Sequence, residues 1–485
     1  MRNLIIVYFM FGIVISMRAQ LILSLDSCRS LALANNKELL IGKGKIKVAT
    51  YQRKAAFTNY LPKLSVSGSY MRNQREISIL SDAQKGALGN LGTGLQAPLQ
   101  QVIQQIQIDN PALAQKLAAL GGMIIPELDK TGRSIADAFR TDTRNIFAGV
   151  ITLTQPIYLG GKIRAYNEIS RYAEELAFQQ HRTGEQDVIM NMDEAYWQVI
   201  SLVNKKKLAD SYSSLLRHLD DDVQKMIREG VATKADGLSV RVKLNEAEMT
   251  LTKVEDGLSL SRMLLCQLCG LPLNSSIRLI DEAMDSVSVK IADTSYNLGE
   301  AYDNRPEIKG LELAEQIYQQ KVKVVRSEFL PTLAAVGNYI VTNPALYNGF
   351  EKKFKGMWNV GVMLQIPIFH WGEGVYKVKA ARAEAAIARY QLDQAKEKIE
   401  LQVNQSAFKV NEANKKLAMA AKNMEKAEEN LRYANVGFKE GVIATSNLLE
   451  AQTAWLQAHS EKIDAQIDVK LTEIYLKKSL GTLEK

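Results

Sequence analysis

Residues 59–70 read Asn59-Tyr60-Leu61-Pro62-Lys63-Leu64-Ser65-Val66-Ser67-Gly68-Ser69-Tyr70, and residues 328–339 read Glu328-Phe329-Leu330-Pro331-Thr332-Leu333-Ala334-Ala335-Val336-Gly337-Asn338-Tyr339. Leu, Pro, Leu, Gly and Tyr coincide at a constant offset of 269 residues, the step from Leu61 to Leu330. The same step pairs Asn35 with Asn304 and Glu38 with Glu307. A second block repeats at 211 residues, the step from Pro156-Ile157-Tyr158 to Pro367-Ile368-Phe369. It holds without a gap through Glu229-Gly230-Val231 against Glu440-Gly441-Val442, and on to Gly270 against Gly481. The two steps differ by 58 residues, an extra segment in the first half between Tyr70 and Asn145. The chain is therefore one unit, duplicated, with an insertion in its first copy. Solenoids repeat more often and transporter repeats are apolar throughout, so neither describes it.

Each copy reads as helix, strand, strand, long helix, helix. In the first, apolar positions at helical spacing run over 27–60 behind Asp26-Ser27, candidate N-caps, until the Leu61-Pro62 step removes an amide and ends the helix. Leu64, Val66, Gly68 and Tyr70 then alternate with serines, as Trp358, Val360, Val362, Leu364 and Ile366 alternate with Asn359, Gly361, Met363 and Gln365. One apolar and one polar or small face over about ten residues suits a barrel strand between lipid and water, and equally a half-buried strand in a soluble sandwich. Strands are expected at about 62–75 and 145–157, then at 331–343 and 356–368.

The helices separate those readings. From about 161 to 229, and again from about 372 to 440, the chain lacks proline and is rich in Ala, Glu, Lys, Gln and Leu. At about 1.5 Å per residue, seventy residues make a rod of roughly 100 Å, which needs partners along its whole length. The shorter helices near 27–60 and 233–270 together match that length. Four strands per chain cannot close a barrel, and open edges are not tolerated in lipid, so several chains must share one. The fold expected is mainly α with a small membrane β-barrel contribution, the first repeat covering 20–298 and the second 299–485.

Arg2 followed by an apolar run from Leu4 to Ile15 and the small residue Ala19 reads as a secretory signal peptide over 1–19, too short to span a bilayer. Its removal leaves 59 basic against 53 acidic side chains, a mild +6 with no block of like charge, so no nucleic-acid partner is implied. Cys28, Cys266 and Cys269 are too few for a disulfide framework. The Cys266-x-x-Cys269 pair lacks a second pair or nearby His, so no metal site follows, and Cys28 behind Asp26-Ser27 is poorly placed for lipid attachment. No cofactor is implied.

The pattern resembles the TolC-type outer-membrane efflux proteins over essentially the whole mature chain. The carrying residues are Leu23-Ser24-Leu25-Asp26 to Ala34-Asn35-Asn36, with Leu61-Pro62 and Leu330-Pro331 opening strands. Gln155-Pro156-Ile157-Tyr158-Leu159-Gly160-Gly161 closes a strand, and Gly441 to Leu449-Glu450-Ala451-Gln452 follows the long helix. The resemblance implies a homotrimer with a twelve-stranded barrel in outer-membrane lipid and a long α-helical tunnel in the periplasm. It also implies a periplasmic adaptor (membrane fusion) protein and an inner-membrane pump as partners.

In such proteins the turns between long and short helices lie at the tunnel's closed tip, here Gly230-Val231 and Gly441-Val442, where the adaptor is expected to dock. Rings of acidic side chains narrow the entrance at positions that hold Asn447 and Glu450, leaving one of two rings neutral. The tyrosine and arginine that lock the relatives' tip are replaced by Phe438 and Ile443, and Asp236 stands at the acceptor position without those partners. A lock, if kept, must be apolar or use other residues. The insertion 76–144, rich in Gly, Gln and Ala with helical stretches near 98–120 and 133–140, is expected to be an extracellular loop.

For an enzyme, His181, His218, His370 and His459 lie in different segments, none near a Ser or Cys nucleophile, and the polar helix residues are explained by solvated faces. Two other readings remain open: the outer-membrane duct of a type I protein secretion system, and a soluble periplasmic coiled-coil scaffold or adaptor.

Overall fold

The computed structural model describes residues 21–76, 80–140, 142–283, 296–345, 347 and 351–483; the signal peptide expected at 1–19 lies outside the described residues. In chain order the first repeat runs β1 (Leu21–Leu23), α1 (Leu25–Asn35), α2 (Lys37–Phe57), β2 (Lys63–Arg72), α3 (Asp82–Gly89), α4 (Thr93–Asp109), α5 (Pro111–Ala138), β3 (Asn145–Leu159), α6 (Lys162–Arg228), α7 (Lys234–Cys269) and β4 (Ile277–Leu279). The second runs α8 (Leu298–Asn304), α9 (Pro306–Ser327), β5 (Thr332–Asn343), β6 (Lys355–Gln365), α10 (Glu373–Lys439) and α11 (Thr445–Ser479). Two compact units result, one of Ala55–Tyr166 with Lys323–Val378, the other of the remaining segments.

The first unit is built on an antiparallel sheet of order β2-β3-β5-β6. Its register places Leu64 and Val66 beside Leu153 and Ile151, then Gly337 and Tyr339, then Val360 and Trp358. Period-two alternation thus assembles one apolar face across all four strands, with Ser65, Ser67, Thr152, Asn338 and Asn359 on the other. On the polar face Asn338 donates to Asn359 Oδ1 at 2.9 Å. Aromatic pairs Tyr70–Phe147 and Tyr339–Trp358 sit cross-strand on the apolar face, the first with ring centroids 4.8 Å apart.

The inserted segment between β2 and β3 is mostly helical. The stretch expected as one helix near 98–120 divides at Asn110, whose side chain caps α5 by accepting from Leu113 N at 3.2 Å, with Pro111 at the first helical position. The stretch near 133–140 is the tail of α5, not a separate helix. At the root of the insertion Arg140 pairs with Glu76 at 3.1 Å, and Asp142 takes both Arg144 at 2.8 Å and Lys352 at 2.9 Å.

The second unit is helical. The two long helices, α6 and α10, have 67 residues each, about 100 Å at 1.5 Å per residue. The helix expected over 27–60 divides at Asn36, which adopts ψ 127° and starts α2 afresh, its side chain accepting from Glu38 N at 2.8 Å. The N-cap of α1 is Ser24, accepting from Ser27 N at 3.1 Å, rather than Asp26 or Ser27. β1 and β4 form a three-residue parallel pair beside the largest core cluster. That cluster buries all three cysteines fully, with Cys28 inside helix α1.

The duplication extends to the packing. Gly270 and Gly481, both left-handed, end α7 and follow α11, and each lies against an asparagine of the preceding short helix. A Cβ on Gly270 would fall 2.5 Å from Asn35 Cβ, and one on Gly481 would fall 2.9 Å from the Asn304 carbonyl carbon. Among the described residues no helix is long and apolar enough to cross a membrane.

Candidate functional site

Two places in the structure are left open: the turns that end the long helices, and the outer strands of the sheet. At the first turn Gly230 takes φ 77°, Val231 N donates to Met226 O at 2.8 Å and Gly230 N to Ile227 O at 3.1 Å. At the second Gly441 takes φ 72°, Val442 N donates to Gly437 O at 2.8 Å and Gly441 N to Phe438 O at 3.1 Å. Both are Schellman caps, in which a left-handed residue lets the last carbonyls find donors. A Cβ on either glycine would meet nothing within 4 Å. Val231 and Val442 follow at 70% and 81% exposure, so each turn presents a bare valine.

Behind the turns, the last turns of α6 and α10 and the first turns of α7 and α11 share one core. Leu216, Val223, Val240, Leu431, Phe438 and Leu448 belong to it. Phe438 is therefore a buried core residue, and Ile443 folds back so that a Cβ on Gly437 would touch its Cδ1 at 2.5 Å. Both replacements for a polar lock are apolar contacts within the chain.

Asp236 caps its own helix. Its carboxylate accepts from Thr233 N at 2.9 Å and Thr233 Oγ1 at 2.6 Å, while Asp236 N donates to Thr233 Oγ1 at 3.2 Å. This capping box satisfies the start of α7, and the hydroxyl of Thr233 holds the Asp236 carboxyl below the usual range. The second copy has lost the device: Ala444 and Asn447 stand where Thr233 and Asp236 stand, and α11 starts without a side-chain cap.

Asp236 and Glu450 face one groove. They line a groove of about 500 Å³ between α7 and α11, together with Lys243, Ser239, Thr445 and Thr453. Asn447 is exposed one turn before Glu450 and accepts from Ser446 Oγ at 3.5 Å. The groove is thus charged on both walls, with Lys243 held to Glu246 at 2.8 Å. Sequence reading passed over Lys243, since a lone lysine on an amphipathic helix gives no signal. It also passed over Gln452, buried at 1% exposure in α11 with Oε1 unpaired.

The strand edges are the other open place. β2 and β6 pair on one side only, and every residue of β2 is exposed. In β6 all but Lys355 are exposed, with Val360 at 74% and Val362 at 67%. The outward N–H and C=O groups of strands ten and eleven residues long, flanked by apolar side chains, are open to pairing with another strand. Below β6, Ile368 is 91% and Trp371 88% exposed, Trp371 holding φ 49° where the first copy has Gly160.

The family model described as outer membrane efflux protein matches residues 297–482. The alkaline protease secretion protein AprF of Pseudomonas aeruginosa is 22% identical over 320 residues, 62% of this chain and 64% of that protein, so the match spans less than two thirds of the relative's length. Among solved structures, CusC, described for folding and transmembrane channel formation, superposes with a TM-score of 0.71 at 16% identity, covering 94% of this chain and 91% of the other. The CmeC outer membrane channel of Campylobacter jejuni gives 0.70 at 16%, covering 94% and 85%. VceC, an outer membrane protein of Vibrio cholerae, gives 0.71 at 14%, covering 94% and 96%. The second repeat is thus similar to outer membrane efflux proteins, and nearly the whole chain shares its fold with a protein described for transmembrane channel formation and with two outer-membrane proteins, in agreement with the duplicated architecture.

Proposed function

We propose that the protein is the outer-membrane exit duct of a tripartite efflux system. It acts as a passive conduit for small molecules handed over by an inner-membrane pump and a periplasmic adaptor. The observation that carries the reading is the four-stranded sheet with one apolar face and two bare edges. Pairing β6 of one copy with β2 of the next satisfies both edges at once. Three copies make twelve strands, within the range in which such barrels hold an open interior. The polar face of Ser65, Ser67, Thr152, Asn338 and Asn359 then lines the pore while the apolar face meets lipid.

In this reading the exposed Val231 and Val442 turns are the adaptor's docking surface, short apolar knobs that an incoming hairpin covers. Phe438 and Ile443 close the tip by apolar packing, and three Glu450 carboxylates with three Asp236 capping groups make the entrance attractive to cations. The passive duct needs no catalytic group of its own.

The test is the mass, by light scattering, of the particle extracted in detergent from purified outer membranes. A three-chain mass is expected. A monomer, or recovery only in the soluble periplasmic fraction, rejects the duct in favour of a scaffold. The name of AprF supports a second reading, a duct for protein secretion. Deleting the chain separates the two: accumulation of small toxic compounds in the cell marks efflux, whereas loss of one secreted protein without such accumulation marks secretion.

A further inference from the structure

We propose that the inserted helices form a cap at the outer mouth of the barrel, in which one apolar flank of the α4–α5 hairpin packs against the same flank of two other copies of this chain. The inference rests on the shared-barrel reading and adds a partner surface to it.

The hairpin is a rigid body. Asp129, buried, accepts from Gly92 N at 2.6 Å and Thr93 N at 3.0 Å, which staples the start of α4 to α5. Three glycines let the helices touch: a Cβ on Gly92 would clash with the Ile125 carbonyl, one on Gly121 with Leu99 Cδ2, and one on Gly132 with the Leu88 carbonyl. Those contacts run antiparallel and define the seam.

Rotating 100° per residue from that seam puts Leu95 and Val102 of α4 on the same flank as Leu113, Leu120 and Ile124 of α5. All five are about half exposed, from Leu113 at 45% to Leu95 and Leu120 at 52%. The opposite flank carries Gln96, Gln100, Gln107, Ala118 and Gly122. From Gly86 to Pro126 only Asp109 and Lys116 are charged, in a chain that is 24% charged. A hairpin solvated on both flanks would carry many more charges, and one held by anionic headgroups would carry a basic surplus.

What covers the flank follows from where the hairpin leaves the sheet. It emerges from β2, the open edge that a neighbouring copy must pair, and returns by β3. Ion pairs of Glu76, Arg140, Asp142 and Lys352 fix that exit. The hairpin therefore continues the inter-copy seam, and threefold symmetry brings identical flanks around one axis.

The test uses the full chain in purified outer membranes, with Leu120→Cys or Ile124→Cys on the apolar flank and Gln100→Cys on the other. A short bis-maleimide is added and products are separated on a denaturing gel. The native cysteines are all buried, and unaltered protein sets the background. Covalent dimers of the chain from Leu120→Cys and Ile124→Cys, with monomer alone from Gln100→Cys, are expected. Equal yields from both flanks, cross-links to a different protein, or no dimers while the extracted particle still has three chains would overturn the cap alone. A particle that is not three chains overturns the shared barrel and the cap with it.

Discussion

Removing Arg29 strands a charge in the core of the helical unit. Its guanidinium donates to Asp193 from Nε at 2.8 Å and Nη2 at 2.6 Å, and the Asp193 side chain is wholly buried. Burial pushes the Asp193 carboxyl above its ordinary pKa even though Arg29 pulls the other way. Arg29→Leu removes the opposing pull, so the shift grows. Breaking a buried pair from one side costs about 3–5 kcal/mol, whereas replacing both members with apolar groups is often neutral or better. An acid whose folded pKa lies above its unfolded value binds protons more readily when folded. Stability lost by the variant is therefore regained as pH falls through the raised pKa, and the deficit is full above it.

Thermal unfolding of the detergent-extracted protein, followed by circular dichroism, checks this over a series of pH values from acid to alkaline. Arg29→Leu should melt well below the unaltered protein at the alkaline end and closer to it at the acid end. Arg29→Leu with Asp193→Leu should recover most of the loss and show no such pH dependence. If single and double variants melt together, or if the deficit ignores pH, the pair is not the stranded-charge system described.

Six further substitutions read other parts of the structure. Gly230→Ala and Gly441→Ala meet open space and should cost only the left-handed backbone, about 1–2 kcal/mol, while Gly270→Ala and Gly481→Ala add a clash and should lower the melting temperature further. Phe438→Ala opens a cavity in the tip core worth about 3–5 kcal/mol and should raise single-channel conductance in planar bilayers; unchanged conductance would remove the apolar lock. Glu450→Gln should weaken block by multivalent cations in the same recordings, and unaltered block would end its role at the entrance.

The sequence showed most clearly what repeats with a local period. Alternation together with the internal repeat located all four sheet strands to within three residues at either end, and the absence of proline located α6 and α10 to within one. Glycines at 230, 441, 270 and 481 marked the helix ends because only a left-handed residue closes a Schellman cap there. Events decided by one side chain were hidden: the break at Asn36, where a single asparagine restarts α2, and the division at Asn110 inside a run that reads as continuous helix. Pairings between distant segments were hidden too. Arg29 and Asp193 are 164 residues apart, and β1 with β4 joins three residues to three across most of the first repeat. At the tip, the identities of Asp236, Phe438 and Ile443 were visible but their partners were not, since a capping box and a core aromatic declare themselves only once the helices are packed.

The two copies keep one backbone at the tip and differ in what holds it, and that difference orders the two helix pairs by local stability. α7 begins with the Thr233–Asp236 capping box, a device whose loss costs about 0.5–2 kcal/mol in helices generally, whereas α11 begins at Ala444 with no side-chain cap. The caps that end α6 and α10 have the same hydrogen bonds, so they do not compensate. The first turn of α11 is thus the less stable, and it carries Asn447 on its exposed side, with Glu450 one turn further on. On the proposed duct, a movement that widens the entrance meets least resistance there. Amide hydrogen exchange checks the ordering: the amides of Ser446 to Leu448 should exchange faster than those of Ala235 to Gly237, and Ala444→Thr with Asn447→Asp should slow them toward the α7 rate. Equal exchange in the unaltered protein would mean that packing against Leu431 and Phe438 outweighs the missing cap, and the asymmetry would then carry no mechanical consequence.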